Sequence, residues 1–239
     1  MKEIDLHCHS EYSHDCSTSV HDLAEKAKEL GIGLAVTDHN EIKGSLKLKE
    51  FHPDVLLVPG IEVTSKERKD ILFYFENFDD LCCFYEKQVA PFKFKDGNSF
   101  SSKVDVSYKD LLEQGKHYNS TTVLPHPSMA VKGLKGIIRD EELEFIDGIE
   151  VLNACSSKGD NVKSKAWAYK KEKPGTGGSD SHSLDTLGNS TTIVEAENPQ
   201  SILEEVRKGH IDVTGESVSI RQIAKNTKTI FYNSVGIKK

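Results

Sequence analysis

The sequence contains few of the features that mark secreted or membrane-spanning proteins. Its five cysteines are scattered and form no CxxC pair, a usage that favours reduced thiols in the cytoplasm. No apolar run approaches the ~18 residues of a membrane-spanning helix. The first residues also lack the basic and then apolar pattern of a secretion signal. We therefore expect a cytoplasmic protein with no membrane partner.

An excess of positive charge is also missing. The 239 residues include 38 acidic and 31 basic side chains, for a formal net charge of −7. Because proteins that bind long nucleic acids rely on basic surfaces and counterion release, we do not expect a long nucleic acid as a partner. A hydrophobic content of 36% excludes a disordered chain, and the length suits one large domain.

Short apolar stretches, polar clusters and helical patterns alternate along most of the chain. Residues 20–30 carry a helical stripe that begins after Ser19 and ends at Gly31, and a second helix is predicted over 199–208, ended by Gly209. The apolar stretches are residues 4–6, 34–36, 55–58, 71–75, 122–124, 148–152 and 191–194. This alternation predicts an α/β fold with a parallel sheet covered by helices, and about seven such units fit a closed barrel better than an open sheet.

Two segments interrupt the alternation. We predict that residues 76–119 form a loop-and-helix excursion over the mouth of the barrel. Residues 215–239 show no clear period and are predicted to be a C-terminal appendage. Since the sequence contains no linker and no low-complexity tract, we predict a single domain over residues 1–239.

Polar side chains that can bind metal ions flank the apolar stretches. These candidates are His7, His9, Asp15, His39, Glu62, Asp70, His126, Asp180 and His182. All but Asp70 follow a stretch, and in a barrel of parallel strands these ends converge on one face. Nitrogen and oxygen donors gathered there would desolvate and repel one another unless cations lay between them. A mixture of imidazole and carboxylate suits zinc, manganese or iron better than calcium.

Each motif also has an ordinary structural interpretation. His7 and His9 could be half-buried strand residues, although residues two apart on a strand share a side. His39 could lie in a solvated turn, His126 in a rigid bend between two prolines, and Asp180 at a helix N-cap. These interpretations need a separate reason for each residue, whereas a metal site explains all of them together.

Five motifs, taken in order, resemble those of the PHP (polymerase and histidinol phosphatase) family. They are DLHCHS at 5–10, AVTDHN at 35–40, GIEV at 60–63, PHP at 125–127 and GSDSH at 178–182. The resemblance covers roughly residues 4–195. It implies a distorted seven-stranded (β/α)7 TIM-like barrel, a cluster of two or three divalent metal ions, and hydrolysis of phosphate esters.

The resemblance also implies a ligand set for each ion. One ion would be bound by His7, His9, Glu62 and Asp180, and a second by Asp15, His39 and His182. A third would share Glu62 and add His126 and Asp70. Aspartate stands at position 70, where relatives carry a histidine, so this sequence departs from the family pattern at the third ion.

The expected chemistry is attack on phosphorus by a hydroxide that bridges two metal ions, which lower the pKa of a shared water. We assign catalytic roles to Asp38, which would orient a ligand imidazole, and to His182, which would assist the leaving oxygen. Lys132 and Lys158 are the preferred partners of the substrate phosphate. Lys135, Arg139 and Arg68 are further candidates, and each could equally be a solvated surface charge.

The expected substrate is a small phosphorylated metabolite or a nucleotide end. Five aromatic residues could stack a base or simply pack the excursion against the barrel: Tyr74, Phe84, Tyr85, Phe92 and Phe94. Three alternatives remain open. The chain could be an exonuclease for short oligonucleotides, an amidohydrolase-type enzyme that cleaves C–N bonds with metal ions, or a metal-binding module without catalysis.

Overall fold

The computed structural model describes residues 1–94 and 103–219, which form nine strands and six α-helices. The strands are β1 Lys2–Cys8, β2 Gly33–Val36, β3 Gly60–Thr64, β4 Asp70–Tyr74, β5 Thr121–Leu124, β6 Gly148–Asn153, β7 Gly175–Gly178, β8 Ser190–Val194 and β9 Ile211–Gly215. The helices are α1 Val20–Leu30, α2 Lys43–Phe51, α3 Phe78–Phe84, α4 Tyr108–His117, α5 Lys158–Lys170 and α6 Pro199–Lys208. In this part of the chain no helix combines the length and apolarity required to cross a bilayer.

The strands form two sheets, with orders β2-β1-β8-β9 and β3-β4-β5-β6-β7. The pairs β1/β2, β5/β6 and β6/β7 are parallel, and the other neighbours are antiparallel. A mixed α/β fold is therefore confirmed, but the prediction of an all-parallel sheet is wrong. The connection between β3 and β4 explains one departure, because residues 65–69 are too few for the crossover of about a dozen residues that parallel neighbours need.

Isolated contacts link the two sheets. His39 pairs with Glu62 in a single bridge beside β2, and Cys8 pairs with Ser181 at the end of β1. The N–H of His9 also donates to the carbonyl oxygen of Ser181 at 3.0 Å. Pairing is not continuous at either seam. The closed seven-stranded barrel is thus not confirmed, since the described residues form sheets of four and five strands.

The two helices with clear terminal signals are confirmed. The side chain of Ser19 accepts from the N–H of Asp22 at 3.1 Å, and Gly31 ends α1 with φ 69°. Helix α6 has the predicted bounds, and Gly209 ends it with φ 74°. Both terminal glycines adopt the left-handed conformation that favours this residue.

One strand prediction is wrong, and one strand was missed. The apolar residues 55–58 run beside β2 but form no strand, and β3 begins only at Gly60. Pro59, directly before it, has no N–H to donate to a ladder. Strand β9 was not predicted, because its residues alternate between half-buried and exposed and carry little apolar signal.

The segment 76–119 contains α3, a π-helical turn at Tyr85–Val89, a 3-10 turn at Ala90–Phe92 and α4. Leu111 and Leu112 of α4 are buried in the same core cluster as Phe73, so α4 covers the sheet as an ordinary helix. The placement of this segment over the site stays a prediction. Residues 95–102 within it, and 220–239 of the predicted appendage, lie outside the described residues.

The aromatic residues proposed for base stacking divide into two groups. Tyr74 and Phe84 are buried: the Tyr74 hydroxyl donates to the carbonyl oxygen of Leu6 at 2.6 Å, and Phe84 packs on Phe73 with ring centroids 4.9 Å apart. These two are core residues and have no face for a ligand. The rest lie towards the surface: Tyr85 is half-buried, and Phe92 and Phe94 are exposed.

Candidate metal centre

The first group of candidate ligands lies at the carboxyl end of β1. His7 and His9 project to the same side and are both fully buried. Both Nε2 atoms lie 3.5 Å from Oε2 of Glu62. They also lie 3.5 Å and 3.3 Å from Oδ1 of Asp180. The four residues predicted to share one ion therefore converge.

Asp180 reaches this point through an uncommon backbone conformation. It follows β7 with φ 53°, in the left-handed region that aspartate and asparagine tolerate better than most residues. Its N–H donates to the carbonyl oxygen of His7 at 2.6 Å. This bond ties the end of β7 to β1 and brings the carboxylate to the two imidazoles.

A second group forms around Asp15. Its Oδ2 lies 3.2 Å from Nε2 of His182 and 3.5 Å from Nε2 of His39. Nδ1 of His39 lies 3.0 Å from Oε2 of Glu62, so Glu62 stands between the two groups. One donor atom from each of His9, Asp15, His39 and His182 lies within 4.8 Å of the others. A single ion can contact several ligands at this spacing.

Glu62 also contacts the third predicted group. Its Oε1 lies 3.2 Å from Nε2 of His126, and Oδ2 of Asp70 lies 3.9 Å from the same nitrogen. The Asp70 carboxylate is already paired, because Nζ of Lys132 lies 3.1 Å from Oδ2 and 3.2 Å from Oδ1. The structure thus gathers all nine predicted ligands in one buried region, and a lysine of the protein enters the third group.

Several polar atoms of this region are buried without a hydrogen-bond partner. They are Nε2 of His7, both ring nitrogens of His9, Oε2 of Glu62 and Nδ1 of His126. Each such atom costs roughly 1–3 kcal/mol, so the cluster needs a compensating partner. Imidazole nitrogens and carboxylate oxygens are the ligands that zinc, manganese and iron accept. The first two groups consist of such donors and fit divalent ions, whereas the third group also contains the ammonium of Lys132.

Two carboxylates of the cluster, those of Glu62 and Asp180, are held in their charged form. Burial opposes ionisation of Glu62, yet the neighbouring imidazoles hold its pKa well below the usual value. Burial likewise opposes ionisation of Asp180, and His7 outweighs it, so this pKa is lowered too. Burial acts against the charged form of His182, whereas Asp15 raises the pKa of that imidazole to about 9. The region therefore attracts positive charge, and divalent ions that bind there would displace protons.

Two residues of β6 complete the site and were missed by the sequence analysis. Oε1 of Glu150 lies 3.0 Å from Nδ1 of His7, and its Oε2 accepts from the N–H of His126 at 2.7 Å. Nδ2 of Asn153 donates to Glu150 at 2.9 Å and to Asp180 at 3.2 Å. The available signal was an acidic residue inside an otherwise apolar strand. Such outer partners fix the orientation of ligand side chains.

Asp38 has other partners than the imidazole that the sequence analysis assigned to it. Its Oδ1 accepts from the N–H of Ser10 and its Oδ2 from the Ser10 hydroxyl, each at 2.6 Å. The carboxyl group is fully buried, and burial raises its pKa to about 6 against the effect of these bonds. Asp38 therefore holds the backbone directly after His9 and does not orient a ring.

His182 presents one ring nitrogen to the cluster. Its Nδ1 lies 2.9 Å from the carbonyl oxygen of Asp180, which requires a proton on Nδ1. Nε2 is then the atom that faces Asp15. A ligand role and a proton-transfer role would use this same nitrogen, so the two predicted roles of His182 exclude each other.

Lys132 is the predicted phosphate-binding residue whose contacts reach the cluster. The other candidates have contacts elsewhere. Lys135 donates to the carbonyl oxygen of Lys163, and Arg139 pairs with Glu141 and Glu142. Arg68 lies in the turn between β3 and β4, and Lys158 lines a separate surface groove. Lys158 does not face the metal-binding cluster, because it begins α5 beside the end of β9. The groove that it lines there includes Val213 and Glu216.

Comparisons with known proteins agree with this arrangement. The PHP domain family matches residues 5–133, and the PHP-associated family matches residues 158–211. An uncharacterized protein of Methanocaldococcus jannaschii is 28% identical over 171 residues, which cover 66% of this chain and 85% of that protein.

Solved structures share the fold at low identity. A two-domain protein of Bacteroides vulgatus, described as containing a predicted PHP-like metal-dependent phosphoesterase, has a TM-score of 0.66 at 16% identity, over 97% of this chain and 69% of that one. Endonuclease Q, solved with a duplex that carries an abasic lesion, has a TM-score of 0.70 at 15% identity, and the match covers 100% of this chain and 72% of that one. An amidohydrolase from Chromobacterium violaceum has a TM-score of 0.62 at 18% identity, and the match covers 87% of this chain and 97% of that one.

The mixed α/β fold gathers imidazoles and carboxylates in one buried region, a donor set that suits divalent metal ions. The PHP domain family covers more than half of the sequence, and the chain belongs to the PHP family. It is an enzyme of the metal-dependent phosphoesterase class.

Proposed function

We propose that this enzyme hydrolyses phosphate esters of small molecules, either a phosphorylated metabolite or the phosphorylated end of a nucleotide. The observation that carries the proposal is the buried cluster of nine nitrogen and oxygen donors with one ammonium group, that of Lys132, at its edge. Such a site combines ligands for divalent ions with a cation that can meet an anionic substrate.

Two divalent ions, zinc, manganese or iron, are proposed as cofactors. One would be held by His7, His9, Glu62 and Asp180, and the other by Asp15, His39 and His182, with Glu62 between them. When bound, the ions would lower the pKa of a water molecule towards neutrality and neutralise charge on the phosphate oxygens. The third group does not fit an ion equally well, because Lys132 already pairs with Asp70.

The protein side chains have separate tasks in this scheme. Lys132 has a side chain 33% exposed, whereas that of its partner Asp70 is 1% exposed, so the ammonium lies between the buried cluster and solvent. It can donate there to a phosphate oxygen. We propose His182 as a metal ligand and not as the acid that protonates the leaving oxygen, because its Nε2 and Nε2 of His39 both approach Oδ2 of Asp15.

A small substrate in a cytoplasmic setting is favoured by charge and by the thiols. The formal net charge of −7 opposes binding of long nucleic acids. The described residues contain no disulfide bond, which supports a reducing compartment. We keep the proposal of one catalytic domain over residues 1–239.

Metal removal is the direct test. The protein stripped with a chelator is expected to lose hydrolysis of p-nitrophenyl phosphate and of a panel of phosphorylated metabolites and nucleotides. Activity is expected to return with zinc, manganese or iron. The same panel contains amide and lactam substrates and short oligonucleotides. Undiminished activity after complete stripping would refute the proposal, and faster turnover of amides would support the C–N hydrolase instead.

Replacement of Asp180 gives a matched test in the intact protein. Asp180→Asn keeps a residue that tolerates φ 53° but removes the carboxylate that faces His7 and His9, so we expect a loss of at least about 100-fold in activity with the fold retained. Asp212→Asn, on an exposed position of β9, should leave activity unchanged. An active Asp180→Asn enzyme with an unchanged ion content would contradict the ligand assignment.

A further inference from the structure

Lys132 occupies the place that the third group would offer to an ion. Its Nζ lies 3.1 Å and 3.2 Å from the two carboxylate oxygens of Asp70. The Asp70 side chain is almost completely buried. Nε2 of His126 lies 3.9 Å from its Oδ2, and Oε1 of Glu62 lies 3.2 Å from that nitrogen. Both oxygens that could bind a third ion therefore already contact a positive charge.

The backbone holds Lys132 at this place. The N–H of Asp70 donates to the carbonyl oxygen of Lys132 at 3.2 Å, and Nζ of Lys69 donates to that of Val131 at 2.6 Å. The loop that carries Lys132 is tightly wound, since a Cβ atom on Gly133 would overlap the carbonyl oxygen of Pro127. The backbone of Lys132 is therefore held beside the start of β4, within reach of Asp70.

Charge makes the ammonium and a third ion alternatives. An ion bound to Asp70 would lie a few ångströms from Nζ, in a region where burial weakens screening. Two positive charges at that separation repel, and Asp70 offers a single negative charge to offset them. One carboxylate with one ammonium is neutral, so Asp70 together with Lys132 forms a balanced pair that needs no further cation.

We propose that the ammonium group of Lys132 takes the place of a third metal ion. The chain would then bind two divalent ions, and Lys132 would supply a third positively charged group that faces the phosphate of the substrate. The ion count follows from the contacts of Lys132, whereas the contact with phosphate rests on the proposed function.

Counting ions tests the first part without any assay of activity. Wild-type protein saturated with zinc or manganese and freed of excess metal is expected to hold two ions per chain by elemental analysis. Lys132→Met, and Lys132→Gln as a second neutral variant, are expected to hold three. Lys132→Arg should stay at two. Lys66→Met removes an exposed lysine paired with Asp105 at 3.2 Å and serves as the matched control.

Two results would overturn the replacement of the third ion. One is a wild-type protein with three ions and anomalous scattering from a site between Glu62, Asp70 and His126. The other is a neutral Lys132 variant that still binds two. Since His21, Glu25 and His52 form another set of metal-binding atoms near the surface, all counts are made in a His21→Ala background.

Binding of inorganic phosphate tests the second part. With two equivalents of metal, Lys132→Met is expected to bind phosphate about tenfold more weakly than the wild type by calorimetric titration, because it lacks a charged hydrogen-bond donor. Equal affinity would show that Lys132 does not meet the phosphate. A protein that binds two ions yet hydrolyses no phosphate ester would refute the proposed function and leave the ion count standing.

Discussion

Glu150 fixes the imidazole of His7: its Oε1 lies 3.0 Å from Nδ1 of that ring. Nε2 of His7 is consequently turned towards Glu62 and Asp180. A carboxylate on the second ring nitrogen sets the tautomer and increases the basicity of the nitrogen that binds metal. Glu150 thus acts on the ions through His7 and contacts none of them in the proposed arrangement.

Replacement of Glu150 is expected to weaken metal binding. Glu150→Gln keeps an acceptor for Nδ1–H but loses the charge, and we expect zinc affinity to fall about 10–100-fold. Glu150→Ala should fall further, since Nδ1 and the N–H of His126 both lose a partner. Competition with a chromophoric chelator measures these affinities. Glu195→Gln, at an exposed position, is the control, and an unchanged affinity in Glu150→Gln would contradict this role.

The second prediction concerns a glycine in α2. A Cβ atom on Gly44 would overlap Oδ2 of Asp38 and Oγ of Ser10, the pair that holds the chain after His9. Alanine normally stabilises a helix by ~0.5–1 kcal/mol relative to glycine. Here we expect Gly44→Ala to lower the free energy of unfolding by about 1–3 kcal/mol and to weaken metal binding.

Urea unfolding of the metal-free protein measures the effect of Gly44→Ala. Gly136→Ala provides the comparison, because a Cβ atom at that position meets nothing within 4 Å. Equal stabilities of the two variants would mean that the Asp38–Ser10 pair adapts to the added methyl group.

The third prediction is a dependence of stability on pH away from the site. The Glu142 side chain is buried and accepts hydrogen bonds from the N–H of Arg139 and the hydroxyl of Tyr108. Burial raises the pKa of its carboxyl group, whereas these bonds and the neighbouring cations lower that pKa to about 2. A lowered pKa stabilises the fold above the ordinary glutamate value of about 4.5, and this contribution is lost as pH falls towards 2.

Glu142→Gln is therefore expected to cost about 1–2 kcal/mol at pH 7, and the difference from the wild type should shrink between pH 5 and pH 2. Urea titrations across this range provide the measurement. Glu141→Gln, whose side chain is 67% exposed, should show little change at any pH. A difference that grows on acidification would have the wrong sign for this explanation.

The parts of the site predictable from sequence are those in which a polar residue interrupts or follows an apolar stretch. His7, His39, His126 and Asp180 stand out in this way, and the structure brings them together with the other predicted ligands. Glu150 could not be recognised as part of the site, because an acidic residue in a strand ordinarily faces water.

The fold was predictable where the local signal was strong. Ser19 and Gly31 define α1 because a cap and a left-handed terminal residue are local features. The pairing of strands was less accessible, since the direction of a neighbour depends on contacts between distant residues. The antiparallel hairpin of β3 and β4 shows this: only the length of residues 65–69 separates it from a parallel connection.

Contributions to the cluster come from both sheets. His7 lies on β1 of the four-stranded sheet, whereas Glu62 and Asp70 lie on β3 and β4 of the five-stranded sheet. An ion shared by ligands from both would join them across a seam that has only isolated backbone bridges. Since a ligand that binds only the folded state adds its binding free energy to stability, the cofactor would also act as a cross-link between the sheets, and its supply would set the free energy of unfolding.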